Sequence, residues 1–444
     1  MDDSELVKKA NKPAELAMKY HPFYRGKIEV VSKCPVTSFE DFAVWYTPGV
    51  AAPCKAIEKD RELVYDYTNK WNTVAVVTDG TRVLGLGDIG PEAGYPVMEG
   101  KALLFKYLGG VDAFPICLAT KDPEEIITAV KWLQPSFGGI NLEDIEQPKC
   151  FQILNTLRAE AQIPVWHDDQ QGTATVILAG LINALKIVDK GMKDAEITVI
   201  GAGAAGLSTV RLLVSAGVSA GNIIIVDSKG ILHRGRSDLQ QQGNEEKWKW
   251  CLKTNSDNRS GGMAQAISGA DVCISMAKSG PGVITKNMIG TMAKDSIVFA
   301  CANPIPEIWP WEAKEAGARI VATGRSDFSN QLNNSLGFPG IFRGVLDAGA
   351  RTITDEMCLA AAYELADLAE ERGLKEDRIV PTMDDWEVYP REAAAVGVKA
   401  IEQGLTHTKL GKKELYEIAF SHIRRAREQA NLMLKNGMIQ PFPK

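Results

Sequence analysis

The stretch EITVIGAGAAGLSTVRLLVS, over residues 196–215, constrains the fold of this chain more than any other stretch. Residues that favour a β-strand lead directly into the pattern G-x-G-x-x-G, and a proline-free run with helical spacing follows. The next strand-like run, IIIV, ends at Asp227, roughly 20 residues beyond the glycines, which is the spacing of a ribose-binding acid. This order predicts a dinucleotide-binding unit, in which the turn and the helix N-terminus hold the pyrophosphate. The turn residues are Gly201, Ala202, Gly203, Ala204, Ala205 and Gly206.

A second match to the same pattern, GLGDIG at residues 85–90, has a different context. Prolines follow at positions 91 and 96, so we expect no helix to begin there. Asp112 has the spacing of a ribose-binding acid, but it begins a strand-like run rather than ending one. We therefore interpret GLGDIG as a glycine-rich loop between Arg82 and Lys101 that lets the backbone approach a small ligand.

Strand-like and helical segments alternate along most of the chain, which predicts an α/β fold. After a mostly helical start, a first set of strand-like runs comprises TVAVVTDG, VDAFPICLAT and GGINLEDI. From IPVWHDD onward the alternation is more regular and is typical of a doubly wound, Rossmann-like parallel sheet. We expect an N-terminal α/β catalytic domain over residues 1–160, a nucleotide-binding domain over 161–400 and a C-terminal helical segment over 401–444.

Composition and charge argue against several classes of function. The 444 residues exceed one ordinary core, which fits two domains. The net charge is −6 and no basic stretch marks a nucleic-acid interface, so we expect no nucleic-acid partner. The N-terminus lacks the apolar region of a secretory signal, and the longest apolar run, residues 176–188, contains Asn183 and Lys186, which favours a buried helix over a membrane span. Eight scattered cysteines without C-x-x-C are typical of reduced thiols in a cytoplasmic protein without a zinc cluster.

Two pairs of adjacent acids close strand-like runs. Glu143 and Asp144 follow GGINL, and Asp168 and Asp169 follow IPVWH. Since the carboxyl ends of parallel strands line the ligand crevice, we expect these carboxylates to converge, and converging carboxylates favour a hard cation such as Mg²⁺ or Mn²⁺. Alternatively, they are solvated surface groups or caps, with Asp169 capping a helix that starts near Gly172.

Lys101 and Tyr46 are candidates for proton transfer. Lys101 stands near the expected start of the helix in MEGKALLFKYLGG, where its charge opposes the helix dipole. This position favours a lysine with a lowered pKa or a substrate contact, and a solvent-facing lysine is the alternative. Tyr46 precedes the Pro-Gly turn of YTPGVA, where a tyrosine is usually half-buried packing.

Asparagines occupy two turns that follow strand-like or glycine-rich runs. Asn303 stands in CANPIPE, and Asn333 and Asn334 stand in NNSLGFPG. Asparagines in turns usually hydrogen-bond to their own backbone. Near a nicotinamide they would instead be suited to bind a substrate carboxylate.

Taken together, these stretches resemble the malic enzyme family, and the length is similar to that of the short microbial type. The motifs lie in the family's order from residue 46 to residue 344 and are YTPGVA, TDGTRVLGLGDIG, EGKALLFK, LEDI, HDDQQGTA, IGAGAAG, DSKG, ANPIPEI, ATGRSDF and NNSLGFPGIFRG. They cover most of the chain and are far more specific together than any single motif. Two positions depart from the family's pattern, because Ser329 follows SDF where proline is expected and LDAGA follows FRGV.

The resemblance implies oxidative decarboxylation of (S)-malate to pyruvate and CO₂, with reduction of NADP or NAD and a requirement for Mg²⁺ or Mn²⁺. It also implies decarboxylation of oxaloacetate and a homodimer or a multiple of dimers. Carried over to this sequence, Tyr46 falls on the family's general acid, Lys101 on its general base and Asp168 on a supporting acid. The metal ligands carried over are Glu143, Asp144 and Asp169. The substrate and nicotinamide contacts carried over are Arg82, Lys101, Asn303 and Asn334.

Sequence features near the end of the second strand of the nucleotide fold favour both NAD and NADP. Asp227 ends the second strand of the nucleotide fold, where an acid normally holds a ribose 2′-OH and favours NAD. Ser228 and Lys229 follow it, with Arg234 and Arg236 a few positions later, and a hydroxyl with three cations suits a 2′-phosphate. Solvated loop charges are the alternative. The cluster, and its likeness to DSKG in NADP-using family members, favours NADP, with NAD still open.

Two other functions fit parts of the sequence. A metal-independent 2-hydroxy-acid or amino-acid dehydrogenase would use the nucleotide fold without the acids. A non-catalytic, nucleotide-sensing protein would need neither the acids nor Lys101. The presence of Tyr46, Lys101 and the three expected metal ligands favours the decarboxylating enzyme.

Overall fold

A computed structural model describes residues 3–325, 327–406 and 408–443. In these ranges, two β-sheets flanked by helices form the scaffold, which confirms the predicted α/β fold. The described strands of the first sheet are β1 Thr73–Thr78, β2 Asp112–Cys117, β3 Gly139–Leu142 and β4 Val165–His167. Those of the second sheet are β5 Ile197–Ile200, β6 Ile223–Asp227, β7 Gly230–Ile231, β8 Val272–Ser275, β9 Ile297–Ala300 and β10 Ile320–Thr323.

Helices cover the sheets and make up both ends of the chain. In chain order they are α1 Asp3–Tyr24, α2 Phe42–Trp45, α3 Ala51–Lys59, α4 Val64–Tyr67, α5 Pro91–Gly109, α6 Pro123–Leu133, α7 Lys149–Glu160, α8 Thr173–Ile187, α9 Ala204–Ser215, α10 Glu245–Lys253, α11 Met263–Ile267, α12 Lys286–Ile289, α13 Pro310–Glu315, α14 Phe338–Ala348, α15 Asp355–Glu371, α16 Val388–Glu402 and α17 Lys412–Lys435. A π-helical turn at Asp168–Gly172 joins β4 to α8.

The first sheet has the strand order β2–β1–β3–β4, and its pairings are parallel. Every residue of β1 and β3 is buried, as expected for parallel strands covered on both faces. We expected β4 to begin the nucleotide-binding half, but it pairs with β3, with Val165 opposite Ile140. The boundary between residues 160 and 161 therefore separates β4 from its own sheet, because α7 carries the chain back to the free edge of β3. The three-part division of the chain otherwise stays a prediction.

The second sheet has the strand order β10–β9–β8–β5–β6–β7. Its strands pair in parallel except for β7, which runs antiparallel to β6. The chain leaves β5 toward β6 on one side and later returns to β8 on the other, so the direction of winding reverses between β5 and β8. Such a switch point opens a crevice at the carboxyl ends of the strands, and the predicted doubly wound sheet is confirmed.

Helix α5 starts earlier than the sequence suggested. It begins at Pro91, directly after GLGDIG, although we expected no helix there. Pro91 takes the first helical position, where no backbone N–H is required and its fixed φ suits the helix. Gly90, with φ of 84°, makes the turn into the helix. Lys101 therefore lies in the interior of α5 rather than at its N-terminus, and the helix dipole does not explain its position.

The predicted buried helix lies at the centre of the core. Every residue of α8 from Ala174 to Leu185 is buried, and the side-chain nitrogen of Asn183 donates to two backbone carbonyls. One continuous apolar cluster joins α8 to both sheets, through residues such as Val74 of β1 and Val199 of β5. None of the helices in the described ranges combines the length and hydropathy needed to span a membrane.

The N-terminal segment, defined here as residues 12–69, differs from the rest of the fold. It contains the short helices α2, α3 and α4, and none of its residues is buried. Large apolar side chains lie open on it, among them Phe39, which is 91% exposed, and Trp45. Folded proteins rarely leave such groups uncovered over a contiguous surface, so this segment has the character of an interface.

Helix α14 carries a fully buried arginine. Nη2 of Arg343 lies 2.6 Å from Oδ1 of Asp347, and Nη1 donates to Oδ1 of Asn72 at 2.5 Å. Asp347 belongs to LDAGA, the stretch that departs from the family's pattern. Its carboxylate neutralises the buried guanidinium, which gives that departure a structural reason. The contact with Asn72 fixes α14 to the turn before β1.

Replacement of Asp347 by alanine is expected to destabilise the fold, because Arg343 would stay buried without a counter-charge. The loss should be about 3–5 kcal/mol in the free energy of unfolding, measured by denaturant titration with circular dichroism. The matched control is Glu417→Ala, which removes an exposed pair with Lys413 on α17 and should cost below about 1 kcal/mol. Similar losses in the two variants would contradict the role of the buried pair.

Candidate active site

Three carboxylates converge at the carboxyl edge of the first sheet. Glu143 and Asp144 follow β3, and Asp169 follows β4 in the π-helical turn. Their carboxylate oxygens lie within 4.8 Å of one another, so the structure brings together the three predicted metal ligands. Glu143 and Asp144 are buried, which removes the alternative of solvated surface groups for them. Asp169 accepts a hydrogen bond from the backbone of Asp144 rather than capping α8.

Burial raises the pKa values of these three acids. Burial, followed by the charge of Asp169, raises the pKa of Asp144 to about 8. Burial likewise raises the pKa of Glu143 and that of Asp169. In the described part of the chain, the buried Oδ2 of Asp144 has no hydrogen-bond partner. Mutually repelling carboxylates with an unpartnered oxygen fit a hard divalent cation, and an all-oxygen set suits Mg²⁺ or Mn²⁺.

The backbone around Asp144 is tied to its neighbours. Asp144 has φ of 55°, in the left-handed region that aspartate adopts more readily than most residues. Its N–H donates to Oδ2 of Asp169 at 2.9 Å, and its Oδ1 accepts from the N–H of Leu84 at 3.3 Å. Its carbonyl accepts from the N–H of Arg82 at 2.9 Å. The loop after β1 therefore fixes the acid cluster and places the exposed Arg82 beside it.

Lys101 lies among the acids and not in solvent. Its Nζ is 2.5 Å from Oδ2 of Asp168, 3.1 Å from Oε1 of Glu143 and 4.4 Å from the ring centre of Phe338. The side chain is 7% exposed, so the solvent-facing alternative is wrong. Burial lowers the pKa of Lys101, but the charges of Asp168 and Glu143 outweigh burial and raise the pKa above its usual range. The protein groups alone therefore do not produce the lowered pKa expected from the sequence, and a pKa lowered by a bound cation stays a prediction.

Asp168 is completely buried behind Lys101. Its Oδ1 accepts a hydrogen bond from the indole N–H of Trp166 at 3.2 Å, which leaves Oδ2 facing Lys101. A Cβ on Gly172 would lie 2.1 Å from Oδ1 of Asp168 and 3.3 Å from Cβ of Asn334. The glycine thus makes room for both residues, and Asn334, a predicted substrate contact, lies close to the Lys101–Asp168 pair.

The GLGDIG loop reaches across to the second sheet. A Cβ on Gly85 would lie 2.4 Å from the backbone oxygen of Asn303 and 2.9 Å from Cβ of Ser279. Asn303 belongs to the loop after β9 and Ser279 to the loop after β8. A residue without a side chain is required for this approach. We expected the loop to admit a small ligand, and at Gly85 its close neighbour is the other half of the chain.

The predicted nucleotide-binding turn joins β5 to the N-terminus of α9. Gly201 has φ of 109°, and a Cβ on Gly206 would lie 1.7 Å from the oxygen of Gly201. Among the described residues, no atom lies within 4 Å of a Cβ built on Gly203, which leaves open space beside the helix N-terminus. Unpaired N–H groups at such an end suit a pyrophosphate.

Asp227 ends β6 with its carboxylate held by cations. Nη1 and Nη2 of Arg236 lie 2.7 Å and 3.0 Å from its two oxygens, and Nζ of Lys247 lies 3.8 Å away. Lys229 is 65% exposed and pairs with Asp238 at 3.0 Å. Arg236 also lies 2.8 Å from Asp238, so cations and two carboxylates together form a rim at the end of β6, with the charge of Asp227 offset by Arg236 and Lys247.

Among the described residues, no hydrogen bond or ion pair joins the side chain of Tyr46 to the acid cluster, and its expected role as general acid stays a prediction. Tyr46 follows α2 in the N-terminal segment and is 70% exposed, so the expected half-buried packing is wrong. Asn303 lies at the carboxyl end of β9, and its side-chain nitrogen would lie 2.9 Å from a Cβ on Gly324. Asn303 therefore faces the loop after β10, on the side of the crevice that carries the second sheet.

Sequence reasoning missed three polar groups of the crevice. His167 is buried with Nδ1 3.6 Å from Oδ2 of Asp169, and burial lowers its pKa to about 4. Asp79 follows β1 and pairs with Lys149 at 2.6 Å. Glu307 is fully buried between the loops after β8 and β9. The first two stand at strand ends, a weak signal, whereas Glu307 stands in ANPIPEI, a stretch in which only Asn303 was expected to be a site residue.

Comparisons with known proteins agree with this geometry. Residues 170–402 match the family model for the malic enzyme NAD binding domain, and residues 25–124 and 119–158 match that for the malic enzyme N-terminal domain. Over 403 residues the chain is 49% identical to a bifunctional malic/malolactic enzyme of Bacillus subtilis, covering 91% of this chain and 97% of that protein. Over 380 residues it is 53% identical to an NAD-dependent malic enzyme of Geobacillus stearothermophilus, covering 86% and 78%. The crystal structure of Entamoeba histolytica malic enzyme matches with a TM-score of 0.98 at 48% identity, covering 100% of this chain and 93% of that one.

The matched regions include both parts of the crevice. The N-terminal domain model spans Lys101, Glu143 and Asp144, and the NAD binding domain model spans the turn at Gly201–Gly206 and Asn303. The second of these models alone covers more than half of the chain. The chain therefore belongs to the malic enzyme family.

Proposed function

We propose that this chain oxidises (S)-malate and decarboxylates the product to pyruvate and CO₂, with reduction of NADP or NAD and a requirement for Mg²⁺ or Mn²⁺. Decarboxylation of oxaloacetate is a second activity of the same site. The observation that carries the proposal is Lys101, buried between Glu143 and Asp168. A metal-independent dehydrogenase would gain nothing from several buried acids that repel one another.

The acid cluster is suited to hold the cation and the substrate together. Oxygens of Glu143, Asp144 and Asp169 would be the ligands. A bound cation would polarise the C2 oxygen of the substrate and stabilise the charge that develops as the C4 carboxylate leaves. Arg82 and Asn334 flank the cluster and are suited to bind the substrate carboxylates.

Lys101 is the proposed general base of malate oxidation. Its Nζ would take the proton of the C2 hydroxyl, and a bound nicotinamide would accept the hydride from C2. Nζ must first release a proton, and Oδ2 of Asp168, 2.5 Å away, is positioned to receive it. Burial favours that release, whereas the charges of Asp168 and Glu143 oppose it by raising the pKa of Lys101. Neutralisation of Glu143 as a metal ligand would shift this balance toward the free amine.

Tyr46 is the proposed acid that protonates C3 after CO₂ has left. The phenol hydroxyl of a tyrosine can donate a proton as a general acid. In one chain, however, Tyr46 is 70% exposed, whereas Lys101 is buried. We propose that the chain acts as a homodimer, in which the N-terminal segment of one copy is covered by the second copy and supplies Tyr46 to its acid cluster. The absence of buried residues over 12–69 supports this arrangement.

NADP is the proposed preferred cofactor, held by the turn at Gly201–Gly206. Arg236 and Lys247 neutralise Asp227, so the carboxylate no longer opposes a 2′-phosphate. Lys229 and Ser228 stand beside it on the rim at the end of β6. Because the Geobacillus relative is named NAD-dependent, family membership alone does not decide the cofactor.

The proposed location is the cytoplasm. All eight cysteines are free thiols, which fits a reducing compartment. Cys358 is representative of the buried ones, because burial raises its pKa to about 12 and suppresses its reactivity.

Removal of one metal ligand is expected to weaken cation binding more than it alters the fold. Asp169→Asn should raise the Mn²⁺ concentration for half-maximal malate oxidation by more than about tenfold, the usual loss when even an outer partner of a metal ligand is removed. The control is Asp88→Asn, which changes an exposed acid of the nearby GLGDIG loop. Normal activity of Asp169→Asn at low Mn²⁺, or parent activity that survives EDTA, would contradict the assignment of Asp169 as a metal ligand.

A shared site predicts that two inactive variants complement each other. Tyr46→Phe and Lys101→Ala should each lose nearly all malate-dependent NADPH formation. Co-expressed in equal amounts, they should regain about a quarter of parent activity, because about half of the dimers are mixed and each mixed dimer has one intact site. Co-expression of Lys101→Ala with Lys101→Met is the control and should stay inactive. A Tyr46 and Lys101 mixture that also stays inactive would place both residues in the same chain's site.

The cofactor proposal is tested by kcat/KM for NADP and for NAD. The parent should prefer NADP, and Lys229→Ala should lose roughly tenfold with NADP and little with NAD, because one charged contact to the 2′-phosphate is removed. The matched control is Lys249→Ala, a lysine of similar exposure on α10. A parent that prefers NAD, or equal losses for both cofactors, would overturn the assignment.

A further inference from the structure

The loops after β8 and β9 are joined by a set of backbone hydrogen bonds. The N–H of Gly280 donates to the oxygen of Ile305 at 3.1 Å, and the N–H of Gly282 donates to the oxygen of Glu307 at 3.1 Å. The hydroxyl of Ser279 donates to Ile305 as well, at 3.0 Å. These loops lie at the carboxyl ends of neighbouring strands, so their relative position shapes one wall of the crevice.

A single buried carboxylate connects the same two loops. Glu307 is fully buried. Its Oε1 accepts hydrogen bonds from the hydroxyl of Ser275 at 2.7 Å and from the N–H of Ala277 at 2.9 Å, both in or directly after β8. Its Oε2 accepts from the N–H of Ala302, directly after β9, at 3.1 Å. Each oxygen therefore satisfies a backbone donor from a different loop.

The hydrogen bonds of Glu307 restrict the position of Asn303. Ala302 precedes Asn303 in the chain, so the hydrogen bond from the N–H of Ala302 fixes the peptide between Cys301 and Ala302, one residue before Asn303. The carbonyl of Asn303 and the side chain of Ser279 also form the surface that Gly85 approaches from the first sheet. A shift of either loop would move Asn303 relative to the acid cluster.

We propose that Glu307 is a positioning residue, which holds the loops after β8 and β9 so that Asn303 can contact the nicotinamide. The proposal rests on the proposed function, because it needs Asn303 to face the cofactor. Glu307 itself is fully buried, so it would act through the loops and not by contact with the nicotinamide or malate.

The hydrogen-bond pattern makes the conservative change Glu307→Gln informative. An amide has one accepting oxygen and one donating nitrogen. Because both Oε1 and Oε2 accept from a backbone N–H, either orientation of the amide would set its NH₂ group against the N–H of Ala277 or that of Ala302. One loop must move or leave a buried donor unpaired, although the volume of the side chain is unchanged.

The test compares Glu307→Gln with Glu392→Gln. Glu392 on α16 is also a fully buried carboxylate, and its oxygens have no hydrogen-bond partner among the described residues, so an amide disturbs no donor there. In Glu307→Gln, the Kd for NADPH and the KM for NADP should rise by about five- to 100-fold, the range for an unpaired buried donor. In Glu392→Gln both should stay within about twofold of the parent values, since no hydrogen bond changes.

Further measurements separate positioning from stability and from the reaction itself. A purely structural role would lower the melting temperature of Glu307→Gln and leave Kd and KM unchanged, which would overturn the proposal. If Glu307→Gln does not fold, Ser275→Ala removes one donor without leaving another unpaired, and it should still raise the Kd for NADPH; an unchanged Kd would overturn the proposal. Because NADPH binding is measured without malate, weaker binding in Glu307→Gln would support the positioning role even if the parent failed to oxidise malate, a failure that would overturn only the proposed function.

Discussion

The balance of charge around Lys101 is the constraint on which the rest of this structure depends. Parallel strands end together, and β3 and β4 therefore carry four carboxylates into one interior region, on Glu143, Asp144, Asp168 and Asp169. Burial makes the charges of Glu143, Asp144 and Asp168 costly, and one lysine offsets only part of the total. The surrounding elements hold these four acids and one lysine in place. Helix α5 carries the lysine, the π-helical turn carries two of the acids, and the loop after β1 fixes Asp144.

The nucleotide-binding half was predictable because its information is local. A strand, a glycine turn and a helix follow one another within about twenty residues, and the structure has them in that order. Pairing between distant segments was not predictable in this way, which is why β4 was expected in the wrong sheet. The effect of Asp168 on the pKa of Lys101 was not predictable for the same reason, because Asp168 stands 67 residues further along the chain. The role of Glu307 was not predictable although the residue lies in ANPIPEI, since its carboxylate meets its β8 donors only in the fold.

The chain divides its apolar surface unevenly between core and exterior. Both sheets and α8 share one continuous core, whereas residues 12–69 contribute nothing buried to it. If a second copy covers that segment, folding of the core and completion of the site are separate events. Activity would then depend on protein concentration by mass action, while the stability of the core would depend on it much less.

The close approach at Gly85 has a consequence for how the crevice opens. The two halves meet there through backbone and a small side chain, because no side chain intervenes on the Gly85 side. Because glycine has no side chain, Gly85 loses no side-chain conformational entropy when this contact forms and gains none when it breaks. Separation of the halves at this point therefore requires little rearrangement of side chains. A larger residue at position 85 would clash with the backbone of Asn303, and it would hold the two halves of the crevice apart.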